Sequence, residues 1–291
     1  MTFRLLRTAL PHRLPALLMV LFGVPALLFC TLFSHAMAAE PRPDVPLRKS
    51  GRPEGYLEKK ELPNSALLLP PPPAEGSPAA RQNAEIHQRA QALRGSERWA
   101  LAARDANLRD GGPMDAFACA LGVRVDATRT PRLYQLLYRT QRDAARSTDA
   151  AKKKYRNPRP FVALDETTCT PEREDHIRDE GSYPSGHAAT GWALALVLTE
   201  LAPERADALL ARGRAYGESR MICNAHWQTD ILQGRIMGSA TVARLHAEAD
   251  FREDLRLSRT ELDSLRQHDT SPPQNCEAEA RALAHGIPGA L

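Results

Sequence analysis

Residues 184–201 read PSGHAATGWALALVLTEL, in which a Pro-Ser-Gly-His turn leads into a long apolar run. From Ala188 to Leu198 the apolar residues would cover nearly every face of a helix, a pattern that is typical of helices buried on all sides. We therefore expect residues 187–201 to form the central helix of the fold. An ionisable histidine, His187, stands at its start. Most histidines in such positions are structural, so its function depends on which other residues can reach it.

The rest of the chain has the composition and periodicity of a helical protein. Only 5% of the residues are aromatic, and apolar residues recur at helical spacing while no segment alternates as a β-strand does. Residues 151–183 lack this periodicity and are predicted to be a long loop, of a length that is usually either functional or disordered. We expect an all-α fold, a single globular helical bundle. Further helices are predicted at about 78–94, 97–108, 114–121, from 131 onwards, 203–220, 226–247 and 251–267.

The first 38 residues have the pattern of a secretory signal peptide. Three arginines precede an almost wholly apolar run from Leu14 to Phe33, and Ala36-Met37-Ala38 is a small-x-small cleavage site. The run is nearly long enough to be an uncleaved membrane anchor, which is the alternative. The cleavage site and the proline-rich residues after it favour removal after Ala38. We expect a periplasmic or secreted protein.

The charge balance argues against two classes of partner. The formal net charge is +4, but residues 1–38 contain three arginines and no acidic residue, so it falls to +1 after cleavage. A surface that binds nucleic acid or an anionic membrane needs a clear excess of basic residues. We expect no nucleic-acid partner and no stable membrane association after signal cleavage, whereas the sequence leaves a homo-oligomer open.

Four cysteines remain after cleavage, namely Cys119, Cys169, Cys223 and Cys276. In an oxidising compartment an even number of cysteines predicts disulfides, here two, and the sequence does not choose among the three connectivities. No Cys-x-x-Cys pair suggests zinc, and no cluster of histidines, cysteines and carboxylates has the spacing of metal ligands. We expect no metal and no cofactor.

Three basic residues, Lys152, Arg159 and Arg220, indicate a binding site only when they are considered together. By itself the stretch KKKYRNPRP, residues 152–160, would be a solvated basic loop, and Arg220 could be a surface residue near a helix end. Together they supply the positive charge that a phosphate dianion and its more negative transition state require. The sequence therefore predicts a phosphate site without a metal.

The turn before the central helix adds neutral donors to these cations. Ser185 can donate its hydroxyl proton, and Gly186 lets the backbone approach an anion closely. The N–H groups of Gly186 and His187 would stand at a helix N-terminus, where the helix dipole favours negative charge. We predict that these residues bind the phosphate oxygens.

His226 and Asp230 have the spacing of an ordinary pair on one helix face, but also the features of a nucleophile and its orienting carboxylate. A carboxylate that accepts from one ring nitrogen fixes the tautomer, so that the other nitrogen presents its lone pair to phosphorus. His187, on a different predicted helix, would then protonate the leaving oxygen and later activate water.

These motifs, in the order K-x6-RP, PSGH and SR-x5-H-x3-D, resemble the signature of the superfamily that joins type 2 phosphatidic acid phosphatases, bacterial class A acid phosphatases and vanadium haloperoxidases. Here they read KKKYRNPRP, PSGH and SRMICNAHWQTD. The flanking GSYPSGH, GESRMIC and HWQTD are most similar to the class A non-specific acid phosphatases. The resemblance covers about residues 63–249, and Ala188 departs from it, because those enzymes usually have threonine there.

The resemblance implies an all-α domain with its site at one end of the helix core, and the family's roles at the positions already singled out. Those positions are Lys152, Arg159, Ser185, Gly186, His187, Arg220, His226 and Asp230.

We therefore expect a metal-independent acid phosphatase that hydrolyses small-molecule phosphate monoesters through a phosphohistidine and is most active in mild acid. The alternatives are a vanadium-dependent haloperoxidase, a lipid phosphate phosphatase and a catalytically idle phosphate-binding module. No function is predicted for the C-terminal residues. The expected organisation is a signal peptide (1–38), a proline-rich N-terminal arm (39–73), an acid phosphatase catalytic domain (74–250) and a C-terminal helix and tail (251–291).

Overall fold

Fourteen α-helices make up most of the computed structural model, which describes residues 53–109, 111–268 and 273–290. The predicted signal peptide and residues 39–52 of the predicted arm lie outside these ranges. The described residues contain no β-strand, so the predicted all-α fold is confirmed. The helices are α1 Ser65–Leu68, α2 Pro78–Gln91, α3 Glu97–Asp105, α4 Gly112–Asp115, α5 Ala118–Leu121, α6 Pro131–Ser147, α7 Asp149–Tyr155, α8 Pro160–Ala163, α9 Glu174–Ile177, α10 Gly186–Leu201, α11 Ala206–Ile222, α12 Gln228–Leu245, α13 Ala249–His268 and α14 Cys276–Leu283.

Helix α10 is the centre of the fold, as the apolar run predicts. It packs against α6, α11 and α12, and Leu194, Val197 and Leu198 have no exposed surface. Burial of each such side chain stabilises the fold by about 1.5–3 kcal/mol. The helix begins where Ser185 caps it, because the Ser185 hydroxyl accepts the N–H of Ala188 at 3.2 Å.

Glycines on α12 allow it to approach α10 closely. A Cβ on Gly234 would lie 2.5 Å from the carbonyl oxygen of Ser185, and one on Gly238 would lie 2.6 Å from that of Ala189. Both distances are far below van der Waals contact. The small residues thus bring the N-terminal ends of α10 and α12 together.

The predicted loop at 151–183 is wrong in part, because α7, α8 and α9 lie wholly or largely within it. Each has only four to seven residues, and one or two turns are too short to show a 3.6-residue period. The predicted helix start at His226 is also wrong. Asn224 has a positive φ of 62° and Trp227 is extended, so α12 begins only at Gln228.

Residues 53–73 of the predicted arm lie against the helices. Leu57 and Leu69 are buried in the main core cluster. The Asp143 carboxylate on α6 accepts the N–H groups of Tyr56 at 2.6 Å and Leu57 at 3.2 Å, while the Tyr56 hydroxyl donates to Asp254. This segment is therefore fixed to α6 and α13.

The four cysteines form two disulfides, as predicted. Of the three possible connectivities, the structure has Cys119–Cys276 and Cys169–Cys223. The predicted C-terminal tail contains a second helix, α14, which was not predicted from the sequence. Among the described residues, no helix combines the length and apolar character needed to cross a bilayer.

The close contact of α12 with α10 makes a specific stability prediction. Gly234→Ala should lower the free energy of unfolding by about 1–3 kcal/mol, because its methyl group must push against the Ser185 carbonyl. Gly286→Ala is the control, since nothing lies within 4 Å of its added Cβ, and it should change stability by less than about 0.5 kcal/mol. Urea unfolding of both variants measures this, and equal effects would contradict the packing described.

Candidate active site

Six of the eight predicted site residues line one cavity of about 600 Å³ at the N-terminal end of α10. The other two, Ser185 and Asp230, have no exposed surface. The N–H of Ser185 donates to the carbonyl of Asp230 at 2.9 Å, which ties the start of α10 to the start of α12. The six residues that line the cavity are Lys152, Arg159, Gly186, His187, Arg220 and His226.

Lys152 reaches the cavity from α7. Its ammonium group donates to the carbonyl of Gly181 at 2.6 Å. Burial, and then repulsion from Arg159, lower the pKa of Lys152 to about 7. An anion in the cavity would oppose both effects and hold the lysine in its charged form.

Arg159 directly precedes α8 and is held by backbone carbonyls. Its Nε donates to Ile177 at 2.9 Å and its Nη1 to Ala225 at 3.1 Å. The same Nη1 lies 3.0 Å from Nε2 of His226. Since a guanidinium can only donate, Nε2 of His226 must present a lone pair here.

Arg220 has guanidinium N–H groups without hydrogen-bond partners in the described part of the chain. It is only 3% exposed, yet its Nε and Nη1 have no hydrogen-bond partner among the described residues. Burial, and then repulsion from Arg159, lower the pKa of Arg220 to about 10, so it stays charged at neutral pH. Buried N–H groups without partners are rare, and a charged pair of them that lines a cavity is suited to an oxyanion.

The turn that bears His226 is braced on both sides. Cys223 follows α11 and is bonded to Cys169, and the Asn224 side chain donates to Glu166 at 2.7 Å. Within the turn, the N–H of His226 donates to the carbonyl of Arg220 at 3.2 Å. The cation and the histidine thus keep a fixed separation.

Asp230 lies beside the Nδ1 edge of the His226 ring. Its Oδ2 accepts the N–H of Trp227 at 2.9 Å and lies 3.4 Å from Nδ1 of His226. With Nδ1 protonated, Nε2 is the free nitrogen, in agreement with its contact to Arg159. Burial, with Arg159 and Lys152 nearby, lowers the pKa of His226 well below its ordinary value, so the ring is neutral.

His187 occupies the first turn of α10. Its Nε2 lies 3.1 Å from the carbonyl of Ala106. A carbonyl only accepts, so Nε2 carries a proton and Nδ1 is the nitrogen left to exchange one. Burial, and then Arg220, lower the pKa of His187 well below its ordinary value. Its ring stacks beside Tyr216, with centroids 6.4 Å apart.

Sequence reasoning missed several charged residues that line the same cavity. Arg173 donates to the Ala106 carbonyl at 3.0 Å, and the Glu180 carboxylate lies 3.6 Å from Nη2 of Arg159. Both belong to EREDHIRDE, residues 172–180. A dense run of charges between two pieces of a site was the available signal.

Ala188 points away from the cavity. Its methyl group would lie 2.9 Å from a Cβ on Gly234 and 3.3 Å from one on Gly217, so it packs on α11 and α12. The loss of a hydroxyl at this position therefore changes the helix packing and not the cavity wall. Among the residues described, no group of three or more His, Cys, Asp or Glu side chains could hold a metal ion.

The chain is similar to a group of bacterial phosphatases. Residues 143–251, which include all eight site residues, match the PAP2 superfamily. The chain is 40% identical over 206 residues to the acid phosphatase of Zymomonas mobilis, which covers 71% of this chain and 78% of that protein. It is 39% identical over 213 residues to the non-specific acid phosphatase of Providencia stuartii, with 73% and 86% covered. For the non-specific acid phosphatase of Salmonella typhimurium the identity is 41% over 208 residues, with 71% and 83% covered.

Among solved structures, the chain matches a bacterial vanadium-dependent iodoperoxidase with a TM-score of 0.41 and 19% sequence identity. That match covers 69% of this chain and 60% of the other.

The unpartnered guanidinium of Arg220 predicts opposite effects on stability and on anion binding. Arg220→Met should raise the stability of the protein without phosphate by about 1–3 kcal/mol, because it removes buried donors that have no partner. It should also abolish most of the increase in Tm that saturating inorganic phosphate gives the wild-type protein. Arg256→Met, at an exposed arginine on α13, should keep that increase. An Arg220→Met variant that phosphate stabilises as strongly as wild type would contradict the anion site.

Proposed function

Because this chain belongs to the PAP2 superfamily and, within it, to the bacterial non-specific acid phosphatases, we propose that it is a secreted acid phosphatase. It hydrolyses small phosphate monoesters without a metal, through a phosphohistidine at His226. The observation that supports this most strongly is the buried Arg220 guanidinium with free donors, which lines one cavity with Lys152 and both histidines. The cavity volume of about 600 Å³ suits a small-molecule ester.

Substrate binding begins with charge neutralisation. The phosphate oxygens accept from Arg220, from Lys152 and from the N–H groups at the start of α10. One oxygen also takes the Nη1–H of Arg159, which in the unliganded protein points at His226. That exchange releases the lone pair on Nε2 of His226 for attack.

The chemical step transfers the phosphoryl group to His226. Nε2 forms a bond to phosphorus while the bond from phosphorus to the ester oxygen breaks, and the leaving oxygen takes a proton from His187. Asp230 accepts from Nδ1–H and stabilises the positive charge that develops on the ring. Lys152 and the two arginines stabilise the additional negative charge on the transferring group.

Hydrolysis of the intermediate reverses these roles. A water molecule gives a proton to His187 and attacks phosphorus, the bond from phosphorus to Nε2 breaks, and inorganic phosphate leaves. Two arginines and Lys152, which a bound anion holds in its charged form, supply the charge that a metal pair supplies in other phosphatases, so the mechanism needs no metal.

The charge states favour mild acid. His226 stays neutral and nucleophilic there because its pKa is lowered. Lys152, with a pKa of about 7, is charged below that pH and loses its proton above it, so kcat/KM should fall as the pH rises through about 7. His187 needs a proton in the complex, and the negative substrate raises its pKa by offsetting Arg220.

Two observations support export of the chain. Residues 1–38 have the pattern of a signal peptide, and both disulfides of the fold need an oxidising compartment. We therefore place the enzyme in the periplasm or outside the cell.

His226→Ala should lower kcat at least about 10³-fold, because it removes the nucleophile. Wild-type enzyme mixed with a ³²P-labelled ester and denatured in alkali, which preserves phosphohistidine, should carry label on His226, and this should also hold in the presence of EDTA. His176→Ala is the matched control, since this exposed histidine lines the same cavity and should keep most activity. Label on serine, or loss of activity in EDTA that a divalent metal restores, would refute the mechanism.

His187→Ala should separate esters by their leaving groups. Alkyl phosphates need a proton on the departing oxygen and should lose about 10²–10⁴ in kcat, whereas nitrophenyl phosphate should lose far less. The ratio of the two kcat values measures this. An equal loss on both esters would show that His187 is not the general acid.

A further inference from the structure

A buried cluster of charges lies directly behind the cavity. On α11, Arg212 makes two hydrogen bonds to the Asp105 carboxylate, at 2.6 and 3.1 Å, and the Ser219 hydroxyl donates to Asp105 at 2.6 Å. Arg98 donates to Ser219 at 2.9 Å. The fifth member comes from the C-terminal tail, where a Glu279 oxygen on α14 lies 3.3 Å from Nε of Arg212.

Two members of this cluster are adjacent in sequence to residues at the cavity. Ser219 is the residue before Arg220. Asp105 is the residue before Ala106, whose carbonyl holds Nε2 of His187. The contacts of Asp105 with Arg212 and Ser219 thus hold the end of α3 against α11 one residue before the Ala106 carbonyl. That carbonyl contacts both His187 and Arg173.

Glu279 balances the charge of the cluster. Among the described residues, Asp105 and Glu279 are the two carboxylates paired with Arg212, which is 2% exposed. Burial alone would lower the pKa of Arg212, but Asp105 and Glu279 raise it above its ordinary value. Without Glu279, Asp105 would have to balance Arg212 alone while it also holds Ser219.

The tail is fastened so that Glu279 keeps this position. Cys276, the first residue of α14, is bonded to Cys119. Ala282 and Ile287 are buried, and α14 packs on α3, which ends at Asp105.

We propose that the C-terminal helix, through Glu279, is a positioning element for the catalytic histidine His187. This rests on the general-acid role of His187 in the proposed function. Glu279 never touches the substrate; it acts through Arg212, Asp105 and the Ala106 carbonyl.

The test compares Glu279→Gln, which keeps the shape of the side chain and removes its charge, with Glu277→Gln, an exposed glutamate on the same helix. The readout is the ratio of kcat on an alkyl phosphate to kcat on nitrophenyl phosphate, which does not depend on the fraction of folded enzyme. Glu279→Gln should lower this ratio about tenfold, a loss typical of a small misplacement of a catalytic group. Glu277→Gln should leave it unchanged, and Glu279→Asp, which keeps the charge, should restore most of it.

A double variant, Cys119→Ser with Cys276→Ser, removes the bond that fastens α14 without substituting any residue of the cluster. It should loosen the contact of Glu279 with Arg212 and lower the ratio in the same direction. It is the deciding variant if Glu279→Gln does not fold. If the tail variants leave the ratio of the two kcat values unchanged, the positioning role is refuted. This holds even if both kcat values fall by the same factor. His187→Ala is measured alongside: if it lowers the ratio and the tail variants do not, this inference alone fails, and if it leaves the ratio unchanged, the proposed general acid fails as well.

Discussion

Three cations, Lys152, Arg159 and Arg220, line one cavity, and the rest of the structure is arranged around that constraint. A buried charge costs several kcal/mol unless hydrogen bonds and opposite charges compensate for it, while a whole domain is stable by only about 5–15 kcal/mol. Arg159 meets this cost with carbonyls from two separate segments, and Lys152 with one. Arg220 has donors left over. The fold thus leaves these N–H groups without partners among the described residues, where they line a cavity that a ligand can enter.

Holding such a site requires rigid surroundings, and the chain supplies them outside the cavity. Glycines let α12 meet α10 so closely that Ser185 and Asp230 bond through their backbones. The Cys169–Cys223 bridge fixes the turn between Arg220 and His226, and a disulfide of this kind stabilises a fold by about 2–4 kcal/mol. These contacts offset the repulsion among the cations and keep them from moving apart.

The sequence predicted the structure well where an apolar pattern extended over a long helix or where a complete motif was present. The apolar run of α10 predicted its burial, and the motif residues predicted which side chains meet, because each type has one obvious use beside a phosphate. It was less informative for short elements: α7, α8, α9 and α14 have four to eight residues and are stabilised by tertiary contacts that no local pattern contains. His226 was placed on a helix because its spacing to Asp230 fits one, whereas the left-handed Asn224 and the extended Trp227 give the same proximity without it. Arg173 and Glu279 contact partners far away in sequence, Ala106 and Arg212, so no local pattern points to them.

In the unliganded cavity the charged groups are paired with other groups of the protein. The Nη1–H of Arg159 points at the lone pair on Nε2 of His226, and the ammonium group of Lys152 donates to the carbonyl of Gly181. These contacts are the ones that a bound substrate would replace. A phosphate ester would replace these contacts with stronger, charge-assisted ones. It would also offset the repulsion from Arg159 that, after burial, lowers the pKa of Lys152 to about 7. A neutral ligand would break the same contacts and leave the repulsion in place. Binding near neutral pH would then draw a proton onto Lys152, so the proposed preference for acid would follow from the charges of the cavity itself, whichever ester it receives.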